Sequence, residues 1–122
     1  MPEPLSPSLD LAALRAYVAQ FNQLGFVKQF GIRVELPDAE TVLAVIDPLE
    51  PMHRGGLQTQ AVNGGVLASV FDLGLGLPGL LRSLPDKRTA TVQLSMSFMR
   101  AVKGDRLETR AWIVRGGGGL LL

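Results

Sequence analysis

Cysteine is absent from this chain. That excludes a thiol nucleophile, a thiolate-bound metal and a disulfide framework, and it fits a reducing compartment. Histidine is scarce as well, with His53 the only imidazole, so no cluster of metal ligands stands in the sequence and no cofactor is implied. Charge of one sign is not in excess: 12 Lys and Arg face 11 Asp and Glu, for a formal net charge of +1. With no basic run interleaved with aromatics, the balance points away from nucleic acid as a partner. A long uninterrupted apolar run is also missing. The best stretch, around Leu73 to Leu81, is broken by Gly74, Gly76, Pro78 and Gly79 and reads as too short to span a bilayer. Met1 to Pro7 is proline-rich, has Glu3 as its one charge, and lacks the basic start and apolar stretch of a signal peptide. Together these absences set the expectation of a soluble protein in the cytoplasm that makes no membrane contact.

What is present is enough to build a core. Hydrophobic residues make up 47% and charged residues 19% of 122 residues, which suits one globular domain. Residues 1–7 read as a flexible tail and residues 8–122 as the domain. Ser8 is placed to cap a helix, because its hydroxyl can accept a free N–H of the first turn. Leu11, Leu14, Val18 and Phe21 follow at helical spacing, and Gly25 is a natural stop. The period then changes to two. Ile32, Val34 and Leu36 alternate with Arg33 and Glu35, Pro37-Asp38-Ala39 reads as a turn, and Thr41 to Ile46 as a second strand, giving an antiparallel hairpin. Asp47 to Gln60, with Pro48, Pro51, Gly55 and Gly56, reads as a loop.

Asn63 to Leu77 is the central apolar helix, ending near Pro78-Gly79, with a second loop over Leu80 to Lys87. From Thr89 to Met99, Ala90, Val92, Leu94, Met96 and Phe98 alternate with Thr91, Gln93, Ser95 and Ser97, the pattern of a long half-buried strand. Lys103-Gly104-Asp105 turns the chain into a partner strand from Leu107 to Val114, and Gly116 to Gly119 is low-complexity. The expected fold is α+β, an antiparallel sheet curled around one apolar helix.

The chemistry concentrates on that helix. Asn63 is a good cap, and Gly64 and Gly65 let a ligand approach backbone N–H groups at the positive end of the helix dipole, where a developing oxyanion is stabilised. Asp72 is the anomaly: Val70, Phe71, Leu73 and Leu75 surround it in sequence. A carboxylate desolvated there has a raised pKa, which suits a base or nucleophile. Gly65, Ser69, Asp72 and Gly76 fall on one narrow stripe of small residues that invites close approach, and a second copy of the helix fits. Asp72 lies about 12 Å along the helix from Gly64, too far for one helix to place both groups around one carbonyl carbon. Two antiparallel helices related by a two-fold axis bring Gly64 of one chain to Asp72 of the other. On spacing alone a blander reading stays open, in which the glycines only permit close packing and the Asp sits at an exposed edge.

The run Asn63-Gly64-Gly65, six residues, then Asp72 resembles the motif of the hotdog-fold acyl-CoA thioesterases of the phenylacetate-pathway and 4-hydroxybenzoyl-CoA type, which usually read His-Gly-Gly, six residues, then Asp or Glu. The strand from Ala90 to Gly104 is similar to the family's next strand, and the likeness extends over about Phe30 to Val114. The resemblance implies hydrolysis of an acyl-CoA to the free acid and CoA by a homodimer, extended to a homotetramer. It implies that the Gly64 amide polarises the thioester carbonyl and that Asp72 is nucleophile or general base. It further implies that Thr91 and Gln58 lie near the attacking water, and it places Asn63 where the family has its His. Gly65, Ser69 and Arg100 complete the expected substrate contacts, with Arg100 and Lys103 as partners for CoA phosphates. His53 reads as a solvated loop residue, with His53-Arg54 near a substrate entrance. The family normally continues for about two more strands beyond the Trp112 strand, whereas eight residues remain here after Val114, so the last strands are expected to be short or missing. The competing reading is a non-catalytic hotdog module that binds acyl-CoA. A dehydratase of this fold needs a His on the central helix or the strands, and none is there.

Overall fold

The computed structural model describes residues 2–56, 59–82, 92–98 and 104–116. Chain order is α1 (Leu11–Phe21), α2 (Gly25–Gln29), β1 (Ile32–Asp38), β2 (Thr41–Ile46), a 3-10 turn (Pro51–His53), β3 (Arg54–Gly56), β4 (Thr59–Val62), α3 (Gly64–Arg82), β5 (Val92–Phe98) and β6 (Leu107–Gly116). The main sheet is fully antiparallel, in the order β1-β2-β6-β5, and β3 and β4 form a separate two-stranded ribbon.

Alternation decides which side of the sheet is filled. Ile32, Val34 and Leu36 of β1, Val42, Ala44 and Ile46 of β2, and Leu107, Thr109, Ala111 and Ile113 of β6 all point to one face, and all are buried. The opposite face carries Arg33 and Glu35 as an ion pair, and Arg110 beside Glu108. α1 and α3 cover the filled face, giving two layers.

α3 is apolar on one side. Val66, Val70, Leu73, Leu77 and Leu81 are buried at spacings of three and four, while Gly64, Gly65, Ala68, Asp72 and Gly76 are exposed. Its first half joins a cluster with Val27, Ile32, Ala44, Ile46, Val62 and Leu107. Its second half joins Leu5, Leu14, Val18, Val34, Val42 and Ile113. The helix is 19 residues long and apolar enough to cross a bilayer by length and composition. The interruptions read from the sequence therefore do not shorten it; its apolar stripe packs on the sheet.

Several sequence expectations are corrected. The first helix is capped by Asp10, whose side chain accepts from the Ala13 N–H, not by Ser8. Ser8 instead donates its N–H to the Ser6 hydroxyl. Gly25 opens α2 rather than stopping a helix, and Asn22 ends α1. β1 runs on through Pro37 to Asp38. The Pro/Gly-rich stretch read as a loop contains the 3-10 turn and the β3–β4 ribbon. α3 runs through Pro78 to Arg82, although Pro78 removes the N–H that would bond the carbonyl of Gly74. The segment before Pro7 is pinned rather than loose: Glu3 N–H donates to the Ile113 carbonyl, Leu5 N–H to the Ala39 carbonyl, and Leu5 and Ser6 are buried.

Candidate active site

The start of α3 is built by the ribbon that precedes it. Arg54 pairs with Val62 across β3 and β4, which sets His53 beside Asn63. The Asn63 N–H donates to the His53 carbonyl at 2.8 Å. Asn63 then caps the helix as expected: its Oδ1 accepts from the Gly65 N–H at 2.7 Å and its carbonyl from the Leu67 N–H at 3.0 Å. These bonds leave the Gly64 N–H without a partner among the described residues, at an exposed position. Among the described residues beyond its own turn and chain neighbours, nothing lies within 4 Å of where a Cβ on Gly64 would sit, so there is open space beside this residue. A free N–H at the positive end of a 19-residue helix is a donor for a carbonyl oxygen that gains negative charge.

Asp72 is exposed, two turns further along. The chain does not desolvate it, contrary to the expectation from its apolar neighbours in sequence, because Val70 and Leu73 turn to the other side of the helix. It shares the solvent-facing stripe with Gly65, Ala68, Ser69 and Gly76. Ser69 is half-buried and its hydroxyl donates to the Gly65 carbonyl at 2.9 Å, so that proton is engaged within the helix. Gly64, Gly65, Asn63, Ser69 and Asp72 are thus brought to one exposed side of α3. Gln58, Thr91, Arg100 and Lys103 lie outside the described residues.

His53 is the residue the sequence reading misjudged. It is 2% exposed, not solvated. Its Nδ1 accepts from the Glu50 N–H at 2.8 Å, so its Nε2 carries the proton and donates to the Phe30 carbonyl at 2.6 Å. The spacing Glu50-Pro-Met-His53, with a proline inside a short turn, was the available signal. Arg54 follows His53 at the start of β3. It donates to the carbonyls of Gln60 and Gly104 and lies 3.6 Å from Asp105, tying the ribbon to the turn before β6. Among the described residues, no group of three or more His, Asp or Glu side chains is placed to hold a metal ion.

Comparison with known proteins adds three findings. A family model described as Thioesterase superfamily matches residues 59–121, which takes in the ribbon's second strand, α3, β5 and β6. No curated protein matches. Among solved structures, a mutant thioesterase from Pseudomonas aeruginosa superposes with a TM-score of 0.56 at 16% identity, over 88% of this chain and 73% of that one. At that identity the superposition speaks for a shared fold.

Proposed function

Because the chain belongs to the thioesterase superfamily and has the hotdog arrangement of an antiparallel sheet against a long helix, we propose that it hydrolyses an acyl-CoA to the free acid and CoA. The observation that carries this reading is the exposed Gly64 N–H at the start of α3, which has no partner among the described residues, with Asp72 exposed on the same helix. The Gly64 amide holds the thioester oxygen as it gains charge. Asp72 either takes a proton from the attacking water or attacks the carbonyl carbon itself. The carbon–sulfur bond breaks and CoA leaves as thiolate; where Asp72 is the nucleophile, water then cleaves the acyl–Asp72 anhydride, which releases the free acid and restores the carboxylate.

One helix does not bring both groups to one carbon, since eight residues of helix span about 12 Å. The working unit in this reading is therefore a homodimer, with Gly64 from one chain and Asp72 from the other, pairing further into a homotetramer. The exposed stripe of small residues on α3, with Leu80 exposed beside it, supports a second copy at this face. The Asn63-Gly64-Gly65 to Asp72 spacing supports the phenylacetate-pathway or 4-hydroxybenzoyl-CoA type. Thr91 and Gln58 are proposed to position water, and Arg100 to meet the CoA phosphates. The absence of cysteine supports a cytoplasmic setting.

The test is CoA release from a panel of aromatic and aliphatic acyl-CoAs. Wild type is expected to release thiol, and Asp72→Asn to fold normally and lose turnover. Hydrolysis retained by Asp72→Asn would remove Asp72 from the mechanism. Tight binding by wild type with no thiol released over hours would select the non-catalytic module instead.

A further inference from the structure

The imidazole of His53 has no part in the proposed chemistry, yet it is buried and both its ring nitrogens are engaged. Its position explains why. The ring sits over Gly31, whose φ of +74 suits glycine, with Cε1 3.6 Å from where a Cβ would be. The Nε2–H holds the Phe30 carbonyl at the end of α2, and Nδ1 holds the Glu50 N–H at the start of the 3-10 turn. The backbone of His53 adds two more bonds: its N–H donates to the Glu50 carbonyl at 2.9 Å, and its carbonyl accepts from the Asn63 N–H at 2.8 Å.

A continuous run of hydrogen bonds therefore leads from Phe30 through His53 to Asn63, and from Asn63 to Gly65 and Leu67 in the first turn of α3. The peptide that carries the Gly64 N–H lies within that run: its carbonyl, that of Asn63, accepts from the Leu67 N–H, and the Asn63 N–H on its other side is held by His53. We infer that His53 is a positioning residue that aims the Gly64 amide by locking its own carbonyl onto the Asn63 N–H. The inference rests on the proposed role of Gly64. His53 touches neither substrate nor reacting atoms; it acts through Asn63. Its neutral tautomer is dictated by the pair of partners, because a carbonyl only accepts and a backbone N–H only donates.

The experiment compares wild type with His53→Phe, which keeps a ring but loses both bonds, and His53→Asn, which keeps an acceptor near the Nδ1 position. Val27→Ala serves as a control, since it removes core volume from the same apolar cluster as Val66. For His53→Phe, kcat is expected to fall about 10- to 100-fold with KM within about twofold, the cost of a misaimed group. His53→Asn is expected to recover part of the loss, and Val27→Ala to lower Tm without moving kcat. A folded His53→Phe with unchanged kcat overturns the inference. If His53→Phe does not fold, His53→Asn decides by the same measure: a kcat equal to that of wild type overturns it. If wild type releases no CoA, the proposed function fails on its own. The positioning role is then read from amide exchange at Asn63 and the 15N shift of Gly64. Faster exchange and a moved shift in the folded variant support it, and unchanged values overturn it.

Discussion

The two ends of α3 are built from the same kind of sequence, apolar residues laced with glycine, and they do opposite things. At the C-terminal end, Leu77 and Leu81 are buried with Leu5, Leu14 and Ile113, and Arg82 donates to the Pro4 carbonyl at 2.8 Å and to Glu3 at 3.1 Å. The N-terminal segment closes over that end. At the N-terminal end, Gly64 and Gly65 are exposed, the Asn63 cap satisfies one amide, and the Gly64 amide has no partner among the described residues. Full burial of a leucine such as Leu81 stabilises by about 2 kcal/mol. Val66 and Val70 are buried near the open end as well, but Gly64 and Gly65 have no side chain to bury, so that first turn is left able to offer its backbone to a ligand.

The comparison can be broken at either end. The largest effect is expected from Gly64→Pro. Proline is favoured at the first position of a helix and lacks an N–H, so the substitution deletes the proposed donor with little cost to the helix. Turnover is expected to fall about 10²- to 10³-fold, measured as CoA release, while circular dichroism and Tm stay close to wild type. Gly64→Ala keeps the N–H and has open space for its methyl, so it is expected to retain the N–H-dependent part of the rate.

At the closed end the signs reverse. Leu81→Ala is expected to destabilise by about 3 kcal/mol in urea unfolding, because the site is fully buried in a packed cluster. Its kcat, measured below the unfolding transition, is expected to hold. A smaller effect on stability is expected at the open end. Asn63→Ala loses the cap on Gly65 and should cost about 1 kcal/mol. Because the peptide of Gly64 is loosened as well, its turnover should fall out of proportion to that loss. The smallest effect is expected from Arg106→Ala, remote from both ends. Arg106 pairs with Glu108 at 2.7 Å and with Asp47 at 2.9 Å, and its pKa is raised chiefly by the hydrogen bond to Glu108 and then by that to Asp47. It is 45% exposed, so the loss should stay below about 1 kcal/mol and shrink further in salt.

How much of this was legible in sequence follows the range of the forces involved. The strand signal is local, so the strands Thr41 to Ile46 and Leu107 to Val114 were readable, and the β1–β2 hairpin with them. The cap at Asn63 is also local chemistry, and it was read correctly. Pro78 and Gly79 are local breakers, and the sequence reading stopped the helix there. The helix continues because Leu81 and Arg82 dock against Glu3, Pro4 and Leu5, about 77 positions earlier, and such contacts leave no trace in a window around Pro78. The same docking pins a segment that looks like a free tail. His53 was misread for a related reason: its partners are Glu50, which is near, and Phe30, which is 23 residues away. The exposure of Asp72 shows the converse. Its apolar sequence neighbours suggested burial, but helical rotation turns Val70 and Leu73 inward and Asp72 outward.

The central claim, that Gly64 of one chain works with Asp72 of another, is tested most directly by mixing two inactive variants. Gly64→Pro and Asp72→Asn are each expected to be close to inactive alone. In a mixed dimer, the Asp72→Asn chain still supplies Gly64 and the Gly64→Pro chain still supplies Asp72, so one of the two sites is intact. Random exchange of equal amounts should restore about one quarter of wild-type turnover, since about half the dimers are mixed and each holds one working site. Activity that stays at the level of the separate variants, with mixed dimers shown to be present, would contradict the shared site.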